Sequence, residues 1–208
     1  MAPTIKKIAS EFYYVDFFGE GIGVTVTESP SLIRRWIYTE RYRNRRRYAS
    51  DSLVVGVGVQ WTPGGSDPPP DVLHLCVSGS CLIVQLSYCN RIPNVLRRFL
   101  ADRRITFVGV WNSQDKEKLA MCRHKLEIWR LLDMRHYMVD EEDRICTCSF
   151  EKIVKACLGH EGVRLEKRIS MSDWDDEFLS HDQILQAAVD SYVCSKIGAN
   201  MRLWNVGT

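Results

Sequence analysis

No apolar run in this 208-residue chain nears the ~20 residues that a membrane-spanning helix needs. The opening residues, Met1-Ala-Pro-Thr-Ile-Lys-Lys, lack the apolar core of a secretory signal, which predicts an intracellular protein, nuclear or cytoplasmic. Eight cysteines are present, yet no CxxC or HxxxH spacing completes a zinc-ligand set. Cys76, Cys81, Cys89, Cys157 and Cys194 sit among apolar neighbours, and neither Cys76/Cys81 nor Cys146/Cys148 has the metal-binding spacing. The pattern reads as reduced, buried thiols in a reducing compartment. There is no internal repeat and no low-complexity tail. One further lack is local. Residues 53–61, Leu-Val-Val-Gly-Val-Gly-Val-Gln-Trp, contain no acid, although they read as a central strand with Gly58 and Gln60 on one face.

What is present suits one globular unit. Hydrophobic residues make up 45% and charged residues 26%, and the length allows a sizeable core. Two β-rich runs over 12–27, separated by glycines, predict a hairpin. Ser29-Pro30 predicts the start of a helix through Leu32, Ile33, Trp36 and Ile37. After the strand at 53–61, the loop 62–71 holds four of the seven prolines. Strands 72–77 and 81–86 form a second hairpin across Ser78-Gly79-Ser80. Pro93 opens a helix through Leu96, Phe99 and Leu100, and 105–110 is another strand. Ser113 is the expected N-cap of a helix through Leu119, with Lys116–Lys118 on its solvent face. A short apolar run at 128–134 and mixed helical segments lead to residue 158, and 159–179 reads as irregular and polar. Ser180 with Gln183 forms a capping box ahead of a long amphipathic helix. The order of elements predicts an α/β fold with a central mixed sheet, three antiparallel strands plus parallel ones, flanked by helices. Residues 1–50 are expected to pack as hairpin, helix and arginine segment on a core of 51–208.

Five segments in order carry a family resemblance: Val-Val-Gly-Val-Gly-Val-Gln-Trp (54–61), the hairpin at 73–86, Phe-Val-Gly-Val…Asp-Lys-Glu-Lys-Leu (107–119), Met-Ser-Asp-Trp (171–174) and Leu-Ser-His-Asp-Gln-Ile-Leu-Gln-Ala-Ala-Val-Asp-Ser-Tyr (179–192). Together they resemble the DEDD-type 3′–5′ exonucleases of the ribonuclease H-like fold, and most of all the Werner-syndrome-like group with its small plant members. The resemblance implies phosphodiester hydrolysis by two divalent ions ~4 Å apart, Mg²⁺ or Mn²⁺, held by four carboxylates. Carried over position by position, the first strand acid falls on Gly58, the second on Gln60, and the water-orienting tyrosine on Gln186. The third and fourth acids are retained as Asp115 and Asp190, which are the remaining candidate metal ligands. Losing both strand ligands implies loss of two-metal catalysis, since each ~1.4 kcal/mol of barrier is tenfold in rate. No cofactor is therefore expected, with Mg²⁺ or Mn²⁺ serving any residual activity. Asp115 at a helix start and Asp190 in a former cleft also have purely structural readings. His160 and His181 read as structural or exposed.

Residues 34–47 hold seven arginines against one glutamate, so the rest of the chain is net negative despite an overall +2. Arg41, Arg43, Arg45, Arg46 and Arg47 are interleaved with tyrosines. Phosphate binding with base stacking, a nuclear-import signal and a solvated helix end all fit this pattern. Trp174 joins these arginines as a candidate nucleic-acid contact. Three functions stay open: an inactive exonuclease relative that binds single strands or 3′ overhangs, a protein-interaction module on that fold, and a weak metal-dependent 3′–5′ exonuclease. Homo-oligomerisation is compatible with each.

Overall fold

The computed structural model describes residues 2–138 and 149–206. Cys146 and Cys148, and part of the mixed helical stretch expected before residue 158, lie outside the described residues.

Among the described residues, eight strands form one mixed sheet: β1 (Thr4–Ala9), β2 (Phe12–Phe17), β3 (Glu20–Thr27), β4 (Leu53–Gln60), β5 (Val72–Val77), β6 (Ser80–Gln85), β7 (Ile105–Gly109) and β8 (Leu131–Asp133). Their order is β1-β2-β3-β6-β5-β4-β7-β8. The adjacent pairs β1–β2, β2–β3, β4–β5 and β5–β6 are antiparallel, while β3–β6, β4–β7 and β7–β8 are parallel. The expected hairpin at 12–27 is therefore extended by a preceding strand. β1 escapes sequence reading because it is an exposed edge strand without an apolar face.

Among the described residues, seven α-helices accompany the sheet: α1 (Pro30–Arg43), α2 (Arg45–Ala49), α3 (Asn94–Leu100), α4 (Asp115–Met121), α5 (Phe150–Leu158), α6 (Lys167–Ser170) and α7 (His181–Asn200). Alternation along β4 divides the core. Leu53, Val55, Val57 and Val59 pack with residues of α1, α3 and α4, while Val54 packs with residues of α5 and α7. Gly56 and Gly58 thus share the α7 side. A Cβ at Gly56 would lie 1.7 Å from the Ser191 carbonyl oxygen, so only glycine lets α7 cross the strand this closely. The Ser180–Gln183 capping box starts α7 as the spacing predicts.

The third helix of the sequence reading differs in detail. α4 begins at Asp115 with Gln114, not Ser113, at its N-cap. Lys118, expected on the solvent face, is only 9% exposed. Its ammonium pairs with Asp67 Oδ1 at 2.8 Å, donates to the Pro68 carbonyl at 2.6 Å and sits 4.6 Å over the Trp61 ring. These contacts tie the proline-rich loop to α4.

Candidate active-site cleft

Three elements meet beyond the carboxyl end of β4. β4 presents Gly58 and Gln60, α4 brings Asp115 in its first turn, and α7 brings Asp190. All four line one cleft of about 260 Å³, with Trp61, Trp111 and Met171 also in its wall. The site read from sequence is thus assembled in space, with two carboxylates. Gln186 lies one turn before Asp190, but its side chain is spent on the chain around α6. It accepts from the Glu166 backbone N–H at 2.7 Å and donates to Ser170 Oγ at 2.9 Å.

The two acids are nearly closed off from water, at 5% and 6% exposure. Burial pushes the Asp115 carboxyl up to about 7, and the neighbouring Asp190 adds to the shift. Burial likewise raises Asp190 to about 7, against a Cys194 thiol that donates to its Oδ1 at 3.6 Å. Both acids therefore hold a proton to much higher pH than an exposed carboxylate does.

The space beside Gly58 is filled. His74 pairs with Gly58 across β4 and β5 and is fully buried. A Cβ at residue 58 would lie 2.3 Å from His74 Cε1, 2.6 Å from Nε2 and 3.2 Å from Asp190 Oδ2. The imidazole thus occupies the volume where a residue-58 side chain would begin. His74 Nε2 is 3.9 Å from Asp190 Oδ2. Burial holds the ring down to about 3, so the imidazole is uncharged near neutral pH and the contact is not an ion pair. Neither ring nitrogen has a hydrogen-bond partner among the described residues. Sequence reasoning missed His74. The available signal was a histidine within an otherwise apolar strand, Val72-Leu-His-Leu-Cys-Val77, opposite the glycine.

The other candidates lie elsewhere. Arg47 Nη1 donates to Ser78 Oγ at 2.9 Å, in the β5–β6 turn. That turn adjoins the amino end of β4, so the arginine segment sits at the end of the sheet away from the cleft, some ~20 Å along an eight-residue strand. Arg41 donates to Tyr48 Oη at 2.7 Å and stacks on its ring, Arg43 pairs with Glu40 at 3.1 Å, and Arg45 lies 5.0 Å over the Tyr42 ring. Arg46 is exposed. Trp174 is not among the residues that line the cleft: it is 1% exposed and its indole donates to the Ser170 carbonyl. His160 stacks on Phe18 at 4.1 Å between ring centres, and His181 meets Tyr13 edge-on. Cys76, Cys81, Cys89, Cys122, Cys157 and Cys194 are free thiols, Cys157 only partly buried.

A family model described as 3′-5′ exonuclease matches residues 48–203. The mouse bifunctional 3′-5′ exonuclease/ATP-dependent helicase WRN is 29% identical over 147 residues, which is 69% of this chain and 10% of that protein. Human exonuclease 3′-5′ domain-containing protein 2 is 29% identical over 158 residues, 71% of this chain and 25% of that protein. The chain therefore spans a quarter or less of either relative. Among solved structures, the catalytic core of RRP6 from Trypanosoma brucei superposes with a TM-score of 0.68 at 13% identity, covering 86% of this chain and 46% of that one. Escherichia coli RNase D gives 0.60 at 19% identity, covering 79% and 42%. At such identities the likeness is one of fold.

Proposed function

The chain belongs to the 3′-5′ exonuclease family, and from that premise we propose that it is a non-cleaving member that holds single-stranded nucleic acid or a 3′ overhang. The observation that carries this reading is the Gly58–His74 contact: the first ligand position has no side chain, and a neutral imidazole fills its space.

The residues present do not fit a pair of hard divalent cations. Mg²⁺ and Mn²⁺ call for anionic oxygens in near-octahedral arrangement. The cleft offers two carboxylates, both pushed toward the protonated form by burial, and the neutral amide of Gln60. Among the described residues, no group of three or more His, Cys, Asp or Glu is placed to hold a metal ion. Gln186 is committed to Glu166 and Ser170 and so is not available to orient a water.

Binding has support of another kind. Trp111 is 46% exposed at the cleft wall, beside half-buried Trp61. Aromatic faces of this kind stack on unpaired bases without regard to sequence. The cleft therefore keeps a platform for a strand while lacking the means to cut it.

The test is a 5′-labelled duplex with a 3′ overhang, incubated with the protein in Mn²⁺ and separately in Mg²⁺, with binding and shortening both measured. Salt-sensitive binding without shortening is expected. Shortening that Asp190→Ala removes would overturn the non-cleaving reading and indicate a weak exonuclease. Failure to bind beyond bulk electrostatics would overturn the nucleic-acid reading and leave the fold as a protein-binding platform.

A further inference from the structure

A second basic feature lies on the sheet face opposite α7. Helices α1 and α3 pack side by side there, through buried Ile33, Trp36 and Ile37 on one and Leu96 and Phe99 on the other, with the Trp36 and Phe99 rings edge-on at 6.3 Å. Between their outer surfaces runs a groove of about 540 Å³. Arg34, Tyr38 and Arg41 line it from α1, Arg98 lines it from α3, and Arg91 lines it from the loop before α3. Spacings of four and three put the three α1 residues on one helix face. No carboxylate is among the described residues that line the groove.

Helix-end electrostatics account for only part of this arrangement. Arg41 and Arg98 lie in the last turns of α1 and α3, where the dipole favours positive charge, but Arg34 does not, and Arg91 lies just ahead of α3, where the dipole disfavours it; neither helix has an acid in its first turn. Arg34, Arg91 and Arg98 are exposed, so their like charges face one another across the groove. Arg41 is already oriented by Tyr48. Tyr38 is 59% exposed on the groove wall, and Tyr42, one turn further along α1, is 71% exposed.

We infer that this groove binds the sugar-phosphate backbone of a single-stranded nucleic acid, at a site separate from the exonuclease cleft. Arginine forks match phosphate oxygens bidentately, and the exposed tyrosine rings accept unpaired bases. A groove walled by two helices suits one flexible strand better than a duplex. The inference builds on the nucleic-acid part of the proposed function but does not depend on whether the cleft cuts.

The test is fluorescence anisotropy of a labelled oligothymidylate in EDTA, where no cleavage occurs, as a function of salt. The variant Arg34→Gln/Arg91→Gln/Arg98→Gln is compared with wild type and with Lys116→Gln/Lys125→Gln/Lys152→Gln, which removes equal charge from exposed positions elsewhere. The groove variant is expected to bind at least about tenfold more weakly at low salt, with a log–log salt slope shallower by about 2, at ~0.7 per phosphate contact. The lysine variant is expected to keep most of the slope. Equal losses in both variants, or none in the groove variant, would overturn the inference. So would polyglutamate displacing the oligothymidylate from wild type at equal concentration, which would assign the groove to acidic peptides. Cleavage in the Mn²⁺ assay would sink the non-cleaving reading and leave this result standing.

Discussion

Gly58 and His74 claim the same space: a Cβ on the one would lie 2.3 Å from Cε1 of the other, across a strand pair that aligns them directly. An aspartate introduced at position 58 therefore meets a fully buried ring that must shift to admit it. Gly58→Asp alone is expected to destabilise the fold by about 3 kcal/mol or more, from overpacking and a buried carboxyl. His74→Val opens the space and removes two unpaired buried nitrogens. In the Gly58→Asp background it is expected to recover at least about 1 kcal/mol of coupling, read from urea melts of the four-member cycle. Mn²⁺-dependent shortening is expected only when Gly58→Asp, Gln60→Glu and His74→Val are combined. Additive stability changes, or activity in the Gly58→Asp/Gln60→Glu pair without the third change, would show that the ring is no obstacle.

Gly56 sets a different constraint on the same strand. Its Cβ would meet the Ser191 backbone at 1.7 Å, and backbone cannot swing aside. Gly56→Ala is expected to cost more than about 3 kcal/mol or to prevent folding, by forcing α7 off the sheet. Gly64→Ala, with nothing within 4 Å, is expected to leave the melting temperature almost unchanged. Similar melting temperatures for the two variants would contradict the close packing of α7 on β4.

Much of the site was legible because regular elements carry fixed periods. The two-residue period of β4 put Gly58 and Gln60 on one face, and the capping box at Ser180 fixed the start of the helix that delivers Asp190. What stayed hidden depends on pairings between distant segments. His74 reaches Gly58 only through the β4–β5 register, and Lys118 is drawn inward by Asp67 and Pro68 from a loop some fifty residues away. The arginine run was visible in composition, but its position at the far end of β4 follows from the sheet order and not from the run itself.

Trp111 and Trp174 are expected to part company on mutation. Trp174 is buried among core residues, so Trp174→Ala should cost about 3–5 kcal/mol through the cavity it leaves. Trp111 stands half open at the cleft with Arg135 5.2 Å over its ring. Trp111→Ala should change stability by less than about 1 kcal/mol while weakening single-strand binding about fivefold or more, from loss of base stacking. Unchanged binding by Trp111→Ala, with its fold intact, would remove the cleft from the nucleic-acid path.

Asp190 makes a prediction about pH. Its carboxyl titrates near 7 in the fold against an ordinary value of 3.8, so the folded chain binds the proton more tightly than the unfolded chain does. Between these two values the unfolded state sheds its proton first, and stability falls as pH rises. The loss is absent below about pH 4, accumulates to about pH 7 and is constant above it, at no more than about 1.4 kcal/mol per pH unit. Asp115 contributes in the same direction. His74 opposes both, because its depressed value makes the fold lose stability as pH falls below the ordinary histidine value of 6.5. Asp190→Asn keeps the shape of the protonated acid and deletes its titration. The variant should match wild type near pH 4 and exceed it by at least about 1 kcal/mol at pH 8, measured by urea unfolding at both pH values. A variant equally or less stable than wild type at pH 8 would mean that Asp190 is held as a charged group, as a working metal ligand would be, and would reopen the case for catalysis in the cleft.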